Sequence, residues 1–376
     1  MIERALMAKI PDLSVLIVNW NSAHFLDKCL QSIYANTPDL NLEIVVVDNA
    51  SYDGSQEIVA DRFPEVAFIQ NPVNEGFARA NNQAFRRSNG RYVLFLNPDT
   101  EVVGPALTAM LTFLKTTPDA GIVGPKLLNS DRSIQTTSIM RFPSLLNEAL
   151  DFEFLHRTFP TSPLWDIGPL FAPSAATGVV VEAISGACMM MPRRVFEEVG
   201  MFDTTYFMFS EDLDLCYKVR TAGWKTYYCG EAVLIHRGGG STVSAPDGFR
   251  TVMIQAAHVD FIRKRRGRLH AFLYKIGIAL VSSFHVAMHC ALLLFTLGLF
   301  RRHKVTEALA KWSLILIWAL HLGDRAATHS VSCAPQAVPR QDAAASPPGH
   351  RPCASHALTI VDLQQAHGKT MNEIED

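Results

Sequence analysis

A chain of 376 residues is long enough to bury a full core and to form one large domain or two ordinary ones. Its 34 Lys and Arg against 36 Asp and Glu leave a formal net charge of −2, which excludes a globally basic protein and leaves nucleic acid out of the expected partners. The seven cysteines (Cys29, Cys188, Cys216, Cys229, Cys290, Cys333, Cys353) are odd in number and scattered without CxxC or zinc-like spacing, as fits free thiols in a reducing compartment.

The first residues, MIERALMAKIPD, lack the apolar run of a signal peptide, so the catalytic part is expected to be cytosolic. Residues 13–18 form a continuous apolar run, predicting a parallel strand buried on both faces, and end in the polar turn Asn19-Trp20-Asn21-Ser22. Phe25, Leu26, Cys29, Leu30 and Ile33 recur at helical spacing up to Pro38. A second strand, 44–47, runs into Asp48-Asn49-Ala50-Ser51, and Asp53-Gly54-Ser55 opens another helix. Strand, helix, strand, helix is the pattern of a parallel α/β sheet.

Residues 66–69 predict a third strand, Asn74-Glu75-Gly76-Phe77 starts a helix through Asn81, and 92–96 is a fourth strand emerging at Asn97-Pro98-Asp99-Thr100. Ligands of open α/β sheets bind at the carboxyl ends of the strands, so Asp48 and Asp99 are expected to face one crevice. Taken singly, each acid also fits an ordinary turn or cap.

A fifth strand at 122–127 precedes about sixty residues of weak pattern, expected to carry an acceptor-side subdomain or a lid. GACMMMP, from Gly186, predicts a buried strand with close backbone packing at the glycine and methionines as core filler. In Phe209-Ser210-Glu211-Asp212-Leu213-Asp214-Leu215, three carboxylates open a short helix. Locally they fit a helix start capped by Ser210, with acids complementing the dipole. Strands at 224–228 and 233–235 follow, the second delivering His236 before Arg237-Gly238-Gly239-Gly240-Ser241.

The ordered series VLIVNWN, VVVDNAS, NEGFARANN, FLNPDT, GACMMMPR, GMFD, FSEDLDL and GW before His236 resembles glycosyltransferase family 2, its rhamnosyltransferase-like members most of all, over residues 13–241 apart from the insertion. The resemblance implies a GT-A fold, a Rossmann-like, mostly parallel sheet flanked by helices. It also implies inverting transfer of a sugar from a nucleoside diphosphate donor to an acceptor hydroxyl; rhamnose is the expected sugar and a cell-envelope glycan the expected acceptor, lipid-linked on account of the apolar segment at 276–300. By position, Asp48 matches the acid that reads the nucleobase, with Asn19, Asn49 and Asn81 as further nucleotide contacts. Asp99 matches the metal-binding end of the family's DxD motif, His236 a third ligand, and Asp212 the catalytic base, with Glu211 its substitute. A hard divalent cation would neutralise the departing diphosphate, and a His ligand favours manganese over magnesium. The first acid of DxD is here Asn97, a neutral ligand that weakens the match. Asp203 and Asp214 are assigned mainly to structure or orientation, their spacing fitting support of the site and ordinary capping alike.

Arg263-Lys264-Arg265-Arg266-Gly267-Arg268 precedes residues 276–300, which contain no Asp, Glu, Lys or Arg; as a helix, these 25 residues would reach roughly 37 Å, enough to cross a bilayer. Arg301-Arg302-His303-Lys304 repeats positive charge at the far end. The next run, 312–322, is too short to span, and an in-plane or re-entrant hairpin on an anionic membrane surface at the cytosolic face, with both basic clusters on the headgroups, is therefore expected, a true span with an exported tail being the alternative. The expected organisation is an extension (1–12), a nucleotide-sugar half (13–128), an insertion (129–184), a catalytic half (185–241), a basic linker (242–268), membrane-associated helices (269–322) and a disordered tail (323–376). Two rival readings remain: a nucleotidyltransferase, disfavoured by the absence of a glycine-rich basic loop after the first strand, and a scaffold that keeps the fold without turnover.

Overall fold

β1 (Leu13–Asn19) sends Leu13, Val15 and Ile17 to one side of the sheet and Leu16 to the other, all fully buried. β2 (Leu42–Asp48) divides Ile44 and Val46 from Val45 and Val47 in the same way. Strands apolar on both faces are stable only between two layers, and each such side chain contributes about 1.5–3 kcal/mol. The computed structural model describes residues 10–149, 155, 158–162, 165, 167–172, 178–238, 249–296 and 302–320, which fall within the unit Met1–Ser332. The expected tail, most of the N-terminal extension, much of the insertion, Gly239 to Ser241, residues 297–300, Cys333 and Cys353 lie outside the described residues.

The remaining strands are β3 (Ala67–Gln70), β4 (Tyr92–Leu96), β5 (Thr100–Val103), β6 (Ala120–Leu128), the short β7 (Ile139–Met140), β8 (Val179–Val181) and β9 (Ala183–Ile184), β10 (Cys188–Pro192) and β11 (Lys225–His236). Their order in the main sheet is β3-β2-β1-β4-β10-β6-β11-β5, with β8 also on β11. The first four are parallel. The second half is mixed: β10 is antiparallel to β4 and β6, β11 is parallel to β6, and β5 and β8 are antiparallel to β11. β6 ends and β10 begins at the carboxyl end of β4, where Asn97 N–H donates to the Ala187 carbonyl at 2.9 Å. The chain therefore returns on the ligand side and β10 must run back, so the sheet is mostly parallel, as expected, with antiparallel pairings confined to its second half.

One layer holds α1 (Ala23–Asn36), α2 (Ser55–Arg62) and α4 (Ala106–Thr116). The other holds α3 (Phe77–Arg87), the short α5 (Leu145–Ala149), α6 (Arg193–Glu198), α7 (Glu211–Thr221), α8 (Phe249–Arg266), α9 (Arg268–Phe295) and α10 (Arg302–Leu320). Met189, Met190 and Met191 are fully buried core residues, as expected. The two strands expected at 224–228 and 233–235 are one strand: β11 absorbs the intervening residues as a register shift between Cys229 and Val233. Bulges of this kind bend a strand without ending it.

Residues 249–266, expected to belong to a linker, form an 18-residue helix because Met253, Ala256, Ala257, Phe261 and Ile262 recur at helical spacing and are buried. Gly267, at φ 92°, separates α8 from α9. Residues 312–320 of the expected short run belong to α10, whose 19 residues span about 28 Å. Lys275 lies over the Trp318 ring and His285 stacks on Trp312 at 3.9 Å, which makes α9 and α10 antiparallel.

Candidate active site

β1, β2 and β4 end on the same edge, and β11 reaches it too, with His236 opposite Thr100. On the donor side Asp48 is fully buried and accepts from Asn19 Nδ2, Ser51 N–H and Gln70 Nε2, each at 2.7 Å. Asn49 Oδ1 accepts from Asn71 Nδ2 at 3.0 Å, and its Nδ2 donates to the Gly76 carbonyl at 3.3 Å. Asn19, Asp48 and Asn49 thus tie three strand ends to the start of α3. Asn81 stays outside this network, donating to the Phe77 carbonyl at 3.0 Å. Asn19 Oδ1 and Asn81 Oδ1 are buried without a hydrogen-bond partner among the described residues.

Asn97, Asp99 and His236 do come together. His236 Nε2 lies 3.3 Å from Asp99 Oδ1 and 3.5 Å from Asn97 Nδ2. On the other side of the ring, Nδ1 meets Gln135 Oε1 at 2.8 Å. Gln135 Nε2 donates to Asn129 Oδ1 at 3.1 Å and to the His236 carbonyl at 3.5 Å, so Oε1 is an acceptor and Nδ1 carries the proton. A neutral His236 then turns the Nε2 lone pair toward a carboxylate oxygen. Two lone pairs at that distance repel unless a proton or cation lies between them, and a hydrogen-bonded far nitrogen is the usual setting of a metal-binding imidazole. One His, one carboxylate and one amide fit a divalent cation whose other ligands come from water or diphosphate. Among the described residues no group of three or more His, Cys, Asp and Glu is placed to hold a metal, so Asn97 would have to serve through its oxygen.

Across the crevice, Asp212 Oδ2 accepts from Gly186 N–H at 2.9 Å and Oδ1 from Leu213 N–H at 2.8 Å. Asp212 keeps partial solvent access, whereas Glu211 is buried with Oε2 unpartnered among the described residues. Burial raises the Asp212 carboxyl above its ordinary range, while the two backbone N–H groups and the charge of His258 on α8 pull the other way. Glu211 is raised too, by burial first and the Asp212 charge second. A buried pair of acids with only one exposed member gives one usable base and one acid that tends to hold its proton. Ser210 does not cap α7: it sits at φ 64° with no side-chain cap, and Oγ is buried without a partner among the described residues. Phe209, at φ 70°, shares this left-handed conformation, so the turn brings strain rather than a cap.

Asn82 on α3 holds the loop leading into this turn, accepting from Phe202 N–H at 3.1 Å and donating to the Phe202 carbonyl at 2.9 Å. The Phe202 ring packs on Phe95 and Phe196, with centroids 4.8 and 5.4 Å away. Further along, the Phe207 carbonyl accepts from Phe77 N–H at 2.9 Å and leaves no room for a side chain at Gly76, whose Cβ would come within 2.5 Å of it. Asp203 pairs with Lys264 at 2.7 Å, and fully buried Asp214 accepts from Arg265 Nε at 2.8 Å. Two members of the basic run thus face the domain, a correction to the expectation that the whole cluster lies on lipid headgroups. Gln135, Asn82, His258 and Arg265 were not singled out from sequence; a polar residue just past the end of β6 was the one available signal for Gln135.

The model of the family described as glycosyl transferase family 2 matches residues 14–200. An N-acetylglucosaminyl-diphospho-decaprenol L-rhamnosyltransferase of Mycobacterium tuberculosis is 27% identical over 245 residues, 62% of this chain and 78% of that protein. Rhamnosyltransferase WbbL of Escherichia coli is 25% identical over 231 residues, 59% of this chain and 82% of that protein. Among solved structures, the mannosyltransferase PcManGT from Pyrobaculum calidifontis, in complex with GDP-Man and Mn2+, aligns over 83% of this chain and 87% of its own with a TM-score of 0.53 and 17% identity, a likeness of fold. With a GT-A sheet, acids on its carboxyl edge and rhamnosyltransferases among its relatives, this chain belongs to glycosyltransferase family 2, in the rhamnosyltransferase-like branch.

Proposed function

We propose that the protein transfers rhamnose, with inversion, from a nucleoside diphosphate sugar to a hydroxyl of a lipid-linked cell-envelope glycan at the cytoplasmic face of the membrane. Asp212 carries this assignment: a partly exposed carboxylate, fixed by two backbone N–H groups, with its basicity raised by burial. It takes the proton of the acceptor hydroxyl as that oxygen attacks the anomeric carbon from the face opposite the diphosphate. Glu211 stays behind it and excludes water from that side. Asn19 and Asn81 offer buried carbonyl oxygens to the nucleoside, and Asp48 and Asn49 hold the strand ends that frame it. A divalent cation held by Asp99, His236 and Asn97 would neutralise charge on the leaving diphosphate.

The membrane assignment rests on α9. Leu269, Phe272, Leu273, Ile276, Leu280 and Phe284 share one exposed face, while Tyr274, Ile278 and His285 bury the opposite face. A helix apolar on its open side and packed on its other side suits an in-plane position better than a lone span. It is also the one described helix long and apolar enough to cross a membrane.

The test is release of nucleoside diphosphate by the detergent-purified full chain across a panel of nucleotide sugars, with Mn2+ or Mg2+ and a lipid-linked acceptor extract. Turnover of dTDP-rhamnose that needs metal and is lost in Asp212→Asn is the expected result. Preference for another sugar, or full activity in Asp212→Asn, would refute the corresponding part of the assignment.

A further inference from the structure

Of the five basic residues at 263–268 expected on the membrane, Arg265 is the one that reaches a buried acid. Its Nε and Nη2 both donate to Asp214 Oδ1, at 2.8 and 2.5 Å, and Tyr206 OH donates to the same oxygen at 3.3 Å. Lys218 Nζ is 3.9 Å from Oδ2. Asp214 has no solvent exposure, so these partners take the place of water around its carboxylate.

Asp214 lies two residues after Asp212 on α7, and residues two apart point to opposite sides of a helix. Arg265 therefore holds the back of the turn whose front carries the base. The turn needs holding: Phe209 and Ser210 are both left-handed and α7 has no side-chain cap. What pins it is Gly186 N–H on the front and the α8 side chains behind, with Phe261 packed edge-on against Tyr217 and Lys264 on Asp203. α8 also leads, across Gly267 alone, into the apolar helix α9.

We propose that Arg265 is a positioning residue for the transfer reaction: by clamping Asp214 it sets the place of Asp212 at the acceptor hydroxyl, and it links the membrane-side helices to the base. The proposal rests on Asp212 being that base. Its predicted mark is a loss in kcat that leaves donor affinity alone, because the donor contacts lie on β1, β2, β4 and α3.

The experiment uses the detergent-purified full chain with dTDP-rhamnose and lipid-linked acceptor extract, comparing Arg265→Gln, Arg265→Lys and Asp212→Asn with the parent. Arg265→Gln is expected to lower kcat at least tenfold with the donor KM within twofold. Arg265→Lys restores the charge without the two-pronged contact and is expected to recover part of that loss. If Arg265→Gln no longer binds dTDP, it has lost its fold, and Arg265→Lys decides alone. Parent-like kcat in Arg265→Gln, or a kcat that falls only in step with dTDP-binding capacity, overturns the proposal while leaving the base assignment standing. Activity in Asp212→Asn overturns both.

Discussion

Gly186→Ala isolates the placement of the base from every other feature of the site. Gly186 is not among the glycines at positive φ, so alanine fits its backbone, and the change in itself favours the fold by about 0.4–1 kcal/mol through the unfolded chain. The new Cβ would lie 3.2 Å from both Cβ and Oδ2 of Asp212. Carbon atoms in relaxed contact sit about 3.5–4.0 Å apart, so the carboxylate must retreat by about 0.3–0.8 Å. Misplacing a reacting group by about 1 Å costs on the order of 10²-fold, which scales to a fall in kcat of about 4- to 40-fold. The assay is nucleoside diphosphate release at saturating donor, with Tm recorded alongside. A lower kcat at unchanged or higher Tm is expected. Parent-like kcat with the fold intact would refute the claim that Asp212 works from the position Gly186 defines.

The same assay run against pH tests the raised Asp212 carboxyl. The base must be ionised to work, so a raised value moves the acid limb of kcat/KM above the ordinary aspartate value of about 4, and a limb at or below it would contradict the burial argument. Gln135→Ala removes the acceptor that orients His236; the Mn2+ concentration for half-maximal activity should rise about 10- to 100-fold, measured by titration into chelator-stripped protein, and no change would remove Gln135 from the metal side. Leu280→Glu places a charge on the exposed face of α9 and should reduce flotation with anionic lipid vesicles while dTDP binding persists. Flotation equal to the parent's would count against that face as the lipid contact.

The strands of the donor half were legible because each is a short, mainly apolar run closed by polar residues, and their ends located Asp48 and Asp99 without further information. Gly186 and the buried methionines were legible for a similar reason, since local pattern and local structure coincide there. β11 was misread because Gly230 looks like a break, and only pairing with β6 on both sides of the shift shows that the strand continues. Ser210 has the chemistry of a cap but lies in a left-handed turn set by its neighbours, so composition pointed to the wrong conformation. Arg265 and Lys264 looked like headgroup-facing charge because a basic run does not show which partners the fold supplies. Gln135 lies 101 residues from the imidazole it orients, a contact that no local pattern encodes.

β11 also has a bearing on when the enzyme comes into being during synthesis. The strand joins β6 and β5, made far earlier, and carries His236 at its last position. Asn97 leaves the ribosome 139 residues before its imidazole neighbour, about 7–28 s at about 5–20 residues per second. During that interval β1 to β4 can pair among themselves, but the proposed cation-binding set lacks its nitrogen. A nascent chain can therefore pair its first four strands early, and under the proposed function transfer waits until the last strand delivers His236.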